Sequence, residues 1–367
     1  MSDDAIPAAM VPPAAPPPGL RALRRGLVLS GLAVLLIAAA IAAAATGAAG
    51  IPPGRLAAAL GLVGGPAAEI ARDQLVLFSI RLPRIVLAVA VGALLATAGT
   101  IMQGLFRNPL ADPGLVGVSA GAGLAAAATI VLGDTLLAGT RLGGAIGPEL
   151  LPLAAFLGAL AVTALLYRIA TREGRTSIAT LLLAGLALGA LAGAGTGLLV
   201  FLADDRQLRD ITFWTLGSLA GATWPKVAAI APFLVATLVA LPVIARGLDL
   251  LVLGEAEAFH MGVPVERLKR FAIVLVAAAA GAAVAAAGVI GFVGIVVPHL
   301  LRLVIGPGHR ALLPAAVLLG GLVLLAADTL ARTLAAPAEL PVGIVTAILG
   351  APFFLVLLLR QRAVVGL

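Results

Sequence analysis

Cysteine is absent from this 367-residue chain, and histidine occurs only as His260, His299 and His309. The first absence excludes disulfide bonds, thiolate chemistry and cysteine metal sites. The three histidines are too few and too scattered to predict a metal cage made by the protein. The composition therefore predicts no metal or cofactor held by this chain itself.

Charged residues are also scarce, at 11% against 62% hydrophobic residues, and the mean hydropathy is +1.16. A soluble domain carries about a quarter charged residues, so this balance predicts an all-α polytopic membrane protein. The net charge of +7 comes mainly from arginines spread among short segments between apolar runs. That spread is typical of orientation signals and argues against a nucleic-acid partner.

An energy source is missing as well. No Gly-Lys pair occurs in the sequence, which excludes a phosphate-cradling P-loop.

Asp328 is the clear acidic residue inside an apolar run, and Arg332 follows it by one helical turn, as in a structural pair. A proton-coupled secondary transporter usually keeps several carboxylates or histidines in its spans, so it is the weaker alternative. No catalytic constellation predicts an enzyme, and the chain is expected to be a conduit driven from outside itself.

Apolar runs long enough for membrane helices fall near 27–48, 84–106, 114–133, 151–169, 178–203, 227–245, 271–291, 293–306, 311–334 and 342–359. This predicts about ten transmembrane helices in one permease domain, residues 26–362. The run 293–306 is too short to cross a bilayer of about 30 Å, so we expect a short or broken span enclosed by protein. Residues 1–25 are predicted to be a disordered, Pro/Ala-rich cytoplasmic tail. The first run is longer than a typical signal peptide, which favours a retained span over a cleaved leader.

The positions of lysine and arginine predict the orientation. With the N-terminus inside, fifteen of these residues fall in inner segments and nine in outer ones. The positive-inside rule therefore predicts that both termini are cytoplasmic. The charge-rich break Arg246–Arg270 then also faces the cytoplasm. Its two short helix-like patches, interrupted at Gly254 and closed by Gly262 and Pro264, indicate either a docking surface for a soluble partner or an ordinary ordered loop.

Glycine is placed at regular spacing in the fifth apolar run. Gly185, Gly189, Gly193 and Gly197 recur every four residues and so share one helix face. Such a face allows another backbone to approach closely. On this pattern alone, helix packing within the chain is favoured over a pore lining.

Several motifs occur in a fixed order: RLPR (81–84), RNPLADPGLVG (107–117), FWTLGSL (213–219), GVIGFVG (288–294), Pro298-His299, ELPVG (339–343) and GAPF (350–353). Asn108-Pro109 and Asp112-Pro113 are predicted to stop one helix and restart another. The series resembles the FecCD-type permease family, the membrane subunits of bacterial ABC importers for ferric siderophores, haem and vitamin B12. The resemblance covers roughly residues 27–360.

That resemblance implies a type II ABC importer permease in the bacterial inner membrane. It implies a homodimer, two copies of a separate ATPase that binds ATP and Mg, and a periplasmic binding protein. Arg81, Arg84 and Arg332 match positions that receive acidic side chains of the binding protein, the alternatives being headgroup anchoring for the first two and the Asp328 pair for the third. The family's ATPase-coupling helix matches Gly254, Glu255, Ala258, His260 and Gly262.

The resemblance also bears on the cargo and its path. The glycine face of the fifth helix is expected to line the dimer axis. The stretch Leu202–Asp210 before Phe213-Trp214 is similar to haem-importing members, so haem is the expected cargo. A ferric siderophore is the first alternative and cobalamin the second.

Overall fold

The computed structural model describes residues 18–47, 51–137, 150–336 and 338–365, and these ranges are overwhelmingly helical. In chain order the α-helices are α1 (Pro18–Ala45), α2 (Pro53–Ala59), α3 (Ala67–Val76), α4 (Leu82–Phe106), α5 (Val118–Leu137), α6 (Leu150–Ala170), α7 (Ile178–Leu202), α8 (Asp205–Leu216), α9 (Trp224–Leu251), α10 (Glu255–His260), α11 (Val265–Ala287), α12 (Val293–Ile305), α13 (His309–Leu334) and α14 (Val342–Val365). A π-helical turn (Leu77–Arg81) joins α3 to α4, and a 3₁₀ turn (Pro113–Val116) precedes α5. Two-residue strands β1 (Thr171–Arg172) and β2 (Arg175–Thr176) form a small hairpin.

Every predicted apolar run overlaps one of these helices. Within the described residues, seven helical stretches are long and apolar enough to cross a membrane, and α5, α12 and α14 contain shorter apolar helices. The short span predicted at 293–306 is α12, only 13 residues long. The prediction of a disordered tail over 1–25 is wrong at its end, because α1 begins at Pro18. Proline suits the first turn of a helix, and the following Leu, Ala and Arg residues are good helix formers. Residues 1–17 lie outside the described residues.

Helix α4 forms the centre of the fold and packs against α9, α11, α12 and α13. Nearly all of its residues are buried, including the polar side chains of Thr97, Thr100 and Gln103. Glycine allows the closest crossings. A Cβ added at Gly92 would stand 2.2 Å from the carbonyl oxygen of Gly320 on α13, and one at Gly99 would stand 2.1 Å from that of Gly294 on α12. Only a residue without a side chain fits at these crossings.

The π turn before α4 follows from Pro83. Leu82 N–H donates to the Leu77 carbonyl in the wider π pattern, and the next donor in that pattern would be residue 83. Proline has no N–H, which leaves the Phe78 carbonyl without that partner. The indole Nε1 of Trp224, at the start of α9, donates to this oxygen at 2.8 Å. The turn therefore links the α3–α4 junction to α9.

The two proline motifs after α4 act as predicted. Helix α4 ends at Phe106, and Arg107 takes the left-handed conformation at φ 50°. The Asn108 side chain accepts the Leu110 N–H at 2.9 Å, and the Asp112 carboxylate accepts the Gly114 N–H at 2.8 Å to cap the 3₁₀ turn. Burial raises the pKa of the Asp112 carboxyl group. These residues turn the chain at the membrane face.

The short helix α12 is held by polar contacts to α4. Arg302 donates to the side-chain oxygen of Gln103, and the Gln103 amide donates to the Gly294 carbonyl at 3.1 Å. His299 packs edge-on against Phe353 of α14, with ring centroids 5.7 Å apart. Both α12 side chains therefore contact other helices of the same chain.

Candidate functional site

A charged cluster lies where α4 begins, at the predicted outer face. The Arg84 guanidinium bonds Asp328 of α13 through Nε (3.1 and 3.0 Å) and Nη2 (2.9 Å), and Nη1 bonds Glu339 at 3.0 Å. The Arg84 and Asp328 side chains are 9% and 2% exposed, whereas Glu339 is 49% exposed. Glu339 is thus the accessible ligand of an otherwise buried cation.

The other two predicted docking arginines cap the end of α1. Arg81 donates to the Ala44 carbonyl, and Arg332 Nη2 donates to the Ala43 carbonyl at 2.6 Å. Cationic groups are favourable beside the free carbonyls of a helix C-terminus. The expected pair of Arg332 with Asp328 is long, at 4.0 Å, because Arg84 occupies that carboxylate.

Two of the predicted docking arginines are buried. Arg81 is 4% exposed and Arg84 is 8% exposed, so neither points freely into water or toward lipid headgroups. This burial argues against headgroup anchoring, the alternative role for Arg81 and Arg84. Their partners are 37 and 244 positions away in sequence, which is why the sequence did not reveal them.

The predicted coupling segment, Arg246–Arg270, contains the short helix α10, and exposed apolar side chains lie within α10 and just beyond its two ends. Leu253, Phe259 and Met261 are 62%, 68% and 44% exposed. His260 is exposed as well, and no metal-holding group of His, Asp or Glu residues occurs in the part of the chain that the structure describes. Exposed apolar groups outside the spans are typical of a protein-docking surface.

Two of the small residues matched to the coupling helix, Gly254 and Ala258, are buried within the chain itself. Ala258 is 0% exposed and faces the protein interior. Gly254 is buried with φ +131°, and an added Cβ would stand 1.9 Å from the Glu257 carboxylate. Gly262 has φ +83° and open space around it. These residues set the turns at both ends of α10 and seat it on the body of the protein.

Lys269 anchors α10 to its surroundings, and sequence reasoning missed it. Its side chain is 3% exposed, and Nζ bonds Glu255 at 2.6 Å, Glu266 at 3.1 Å and the Thr176 carbonyl at 3.0 Å. The Thr176 N–H in turn donates to Glu266 at 3.0 Å. Glu255, matched to the coupling helix by sequence, therefore ties α10 to α11 and, through Lys269, to the β-hairpin.

A second tie lies beneath the same segment. The Asp249 carboxylate accepts the backbone N–H of His309 at 2.7 Å and contacts its ring Nδ1 at 2.8 Å. Asp249, in the last turn of α9, thus caps the start of α13. The first part of the coupling segment is therefore fixed to the start of α13.

Among the described residues, the glycine face of α7 is packed only at its first member. Gly185 is buried and its carbonyl lies near Gly117, whereas a Cβ at Gly189, Gly193 or Gly197 would meet nothing within 4 Å. Large apolar side chains beside them are exposed, including Phe201 at 83%. Packing within the chain, favoured from the pattern alone, accounts for Gly185 but leaves the other three glycines open.

A bundle of long apolar helices, with a small anchored helix at one end and a charged cluster at the other, is typical of a polytopic membrane protein. The FecCD transport family model matches residues 29–360, nearly the whole described chain. The chain belongs to the FecCD transport family and is a permease subunit of an ABC importer, a class without an ATPase site of its own.

Individual relatives agree with this assignment. The Hemin transport system permease protein HmuU of Yersinia pestis is 48% identical over 77% of this chain and 83% of that protein. The Cobalamin import system permease protein BtuC of Halobacterium salinarum is 46% identical over 79% and 75%. The Vitamin B12 import system permease protein BtuC of Klebsiella pneumoniae is 40% identical over 91% and 94%. An inward-facing structure of a metal-chelate type ABC transporter superposes with a TM-score of 0.78 at 32% identity, covering 91% of this chain and 99% of that one.

Proposed function

We propose that this permease carries haem, or a related iron complex, from the periplasm to the cytoplasm. The observation that carries the proposal is the 48% identity of this chain to the hemin transport permease. The stretch Leu202–Asp210, which is similar to haem-importing members of the family, supports it. That stretch contains the capping box of α8, in which Asp204 and Gln207 each bond the other's backbone. The box starts α8, which carries the exposed side chains of Leu208 and Phe213. The apolar surface that these side chains form on α8 suits a flat, largely apolar macrocycle.

The open glycine face of α7 supports a homodimer. Exposed glycines beside exposed leucines on one span allow a second copy to pack closely in lipid. The passage for cargo then lies along the two-fold axis between the copies. Its weakly interacting wall suits release, because tight binding inside the passage would slow transport.

The drive comes from two copies of a separate ATPase, which bind ATP and Mg. The exposed Phe259 and its neighbours on α10 form the contact, and the Lys269 anchor transmits its movement to α11. Because α10 is tied to α11 and the β-hairpin, a movement of α10 also displaces α11 and the hairpin. Both termini and α10 are assigned to the cytoplasm by the charge distribution.

The loaded binding protein docks at the outer charged cluster. Arg84 keeps a half-exposed partner, Glu339, which an incoming carboxylate can replace without leaving Asp328 unpaired. Arginine suits this exchange, since its planar fork binds two carboxylates at once. Replacing Arg81 and Arg84 together by Glu is expected to abolish uptake stimulated by the binding protein. Unchanged stimulation would remove this docking role.

ATP-dependent haem uptake into proteoliposomes tests the cargo. The vesicles contain the permease, its ATPase and its binding protein, and a catalytically inactive ATPase is the control. We expect uptake of haem that a ferric siderophore does not inhibit. The cobalamin permeases of 46% and 40% identity favour cobalamin as the second candidate. Cobalamin uptake without haem uptake would overturn the haem proposal and leave the importer class intact.

A further inference from the structure

A groove of about 420 Å³ opens between the end of α9 and the start of α11, beside the turn that follows α10. Val243, Leu268 and Phe271 contribute apolar walls, and Arg246 and Arg267 line it as well. At the helix crossing below, a Cβ added at Gly247 would stand 2.8 Å from the methyl carbons of Leu268. The groove is therefore a consequence of how the two helices cross.

Both guanidiniums of this groove are exposed and uncompensated. Neither Arg246 nor Arg267 has an ion-pair partner within the described ranges. The nearby carboxylates of Asp249, Glu255 and Glu266 are engaged by a histidine or a lysine. Two positive charges at the end of membrane-spanning helices thus remain available to an anion.

An apolar track leads away from the groove along the spans. Val235, Val239 and Val243 recur every four residues on α9 and are 57%, 69% and 72% exposed. On α11, Phe271 and Val274 lie one turn apart and are 42% and 61% exposed. The antiparallel run of α9 and α11 places both rows on membrane-spanning surface, where hydrocarbon is the solvent.

We propose that this groove binds an anionic phospholipid of the cytoplasmic leaflet. The lipid phosphate lies between Arg246 and Arg267, and an acyl chain follows the exposed valines of α9. Free phosphate would use the charges but not the track, and a zwitterionic lipid would gain less from two arginines. Basic pockets between membrane helices on the cytoplasmic side are suited to such headgroups. The bound lipid would lie against Gly262 and Pro264, next to α10, independently of which cargo is carried.

Fluorescence quenching tests the site directly. Phe271→Trp is introduced as the reporter while Trp214 and Trp224, the natural tryptophans, are replaced by Phe. The full-length permease is placed in phosphatidylcholine nanodiscs with increasing fractions of phosphatidylglycerol brominated in its acyl chains. We expect quenching at lower fractions than with brominated phosphatidylcholine. The Arg246→Gln/Arg267→Gln variant should lose this preference by about fivefold for each arginine, from about 1 kcal/mol per basic residue near the membrane surface.

The matched control is Arg172→Gln/Arg175→Gln, which removes the same charge from exposed arginines of the β-hairpin. It should keep the phosphatidylglycerol preference of the parent. Equal quenching by both lipids in the parent, or an equal loss in both double variants, would overturn the proposal. Adding the partner ATPase gives a further readout. Quenching that persists with the ATPase bound supports a lipid site. Quenching that the ATPase abolishes identifies the groove as a protein-docking surface and overturns the lipid proposal.

Discussion

Arg84 and Asp328 form a buried, three-contact ion pair that joins the start of α4 to the last part of α13. The two residues are 244 positions apart, and their helices also cross at Gly92 and Gly320. One cation and one carboxylate therefore fix the outer end of the helix pair at the centre of the fold. Glu339 adds an accessible third member.

Breaking that pair should destabilise the protein. Asp328→Asn leaves Arg84 buried without its main counter-charge, which costs about 3 kcal/mol. The loss should appear as lower thermal stability of the purified permease in detergent. Asp205→Asn, on the exposed start of α8, is the control and should change little. The double variant Arg84→Met/Asp328→Leu should recover much of the loss, and a further drop would contradict this assignment.

The helix crossing should not tolerate a side chain. Gly92→Leu places atoms where the Gly320 carbonyl lies, since even a Cβ would approach it to 2.2 Å. We expect the variant to be degraded or aggregated, as measured by membrane expression and size-exclusion chromatography. Gly26→Leu, on the open surface of α1, is the control and should express normally.

Assembly should depend on the open face of α7. No residue in the described part of the chain lies within 4 Å of a Cβ added at Gly193, so Gly193→Leu should leave the fold of one chain intact. The same change should weaken the homodimer, because the added side chain keeps two backbones apart. Light scattering of the purified protein measures the mass of the complex. A fully dimeric Gly193→Leu variant would place the interface elsewhere.

Binding of the ATPase should depend on Phe259. Its side chain is 68% exposed, so Phe259→Ser should leave stability unchanged while weakening the ATPase complex about tenfold, as for an aromatic contact worth about 1.4 kcal/mol. Affinity is measured by titration of the ATPase against permease in nanodiscs. Leu62→Ser, also strongly exposed but distant in the chain, is the control. An unchanged affinity in Phe259→Ser would exclude this contact.

The anchor of α10 should be visible in hydrogen exchange. Lys269→Met removes three hydrogen bonds that tie Glu255, Glu266 and Thr176 together. We expect amide exchange in 255–260 to quicken about tenfold, in line with the loss of about 1.4 kcal/mol of local stability. Lys226→Met, at the start of α9, should leave that segment unchanged. Equal exchange in the parent and Lys269→Met would show that α10 is held by packing alone.

Much of the fold could be predicted from the sequence because hydropathy and the positions of proline at helix ends are local signals. The apolar runs, the short α12 and the turn after Asn108 follow from residue types and spacing alone. The exceptions have local causes too. Pro18 starts α1 inside the predicted tail, and Pro83 widens the turn before α4.

The candidate site was predictable only in part, because burial and partners are not local. The motif identified Arg84 but could not show that Asp328 and Glu339 hold it. Ala258 matched a coupling helix, yet its side chain points inward, and the anchor Lys269 carried no signal in the sequence beyond its charge. A row of four glycines likewise could not show that only Gly185 is packed within the chain.

The enclosure of α4 has a consequence for how the protein is made. The helices that surround it, α9, α11, α12 and α13, are all synthesised later. Helix α4 must therefore enter the membrane and remain in lipid with Thr97, Thr100 and Gln103 uncovered until the second half of the chain arrives. The apolar length of α4 allows it to insert into the membrane, whereas its glycines and polar side chains make contacts only in the folded protein. The intermediate most exposed to quality control during biogenesis is therefore the inserted N-terminal half, before α9, α11, α12 and α13 pack around α4.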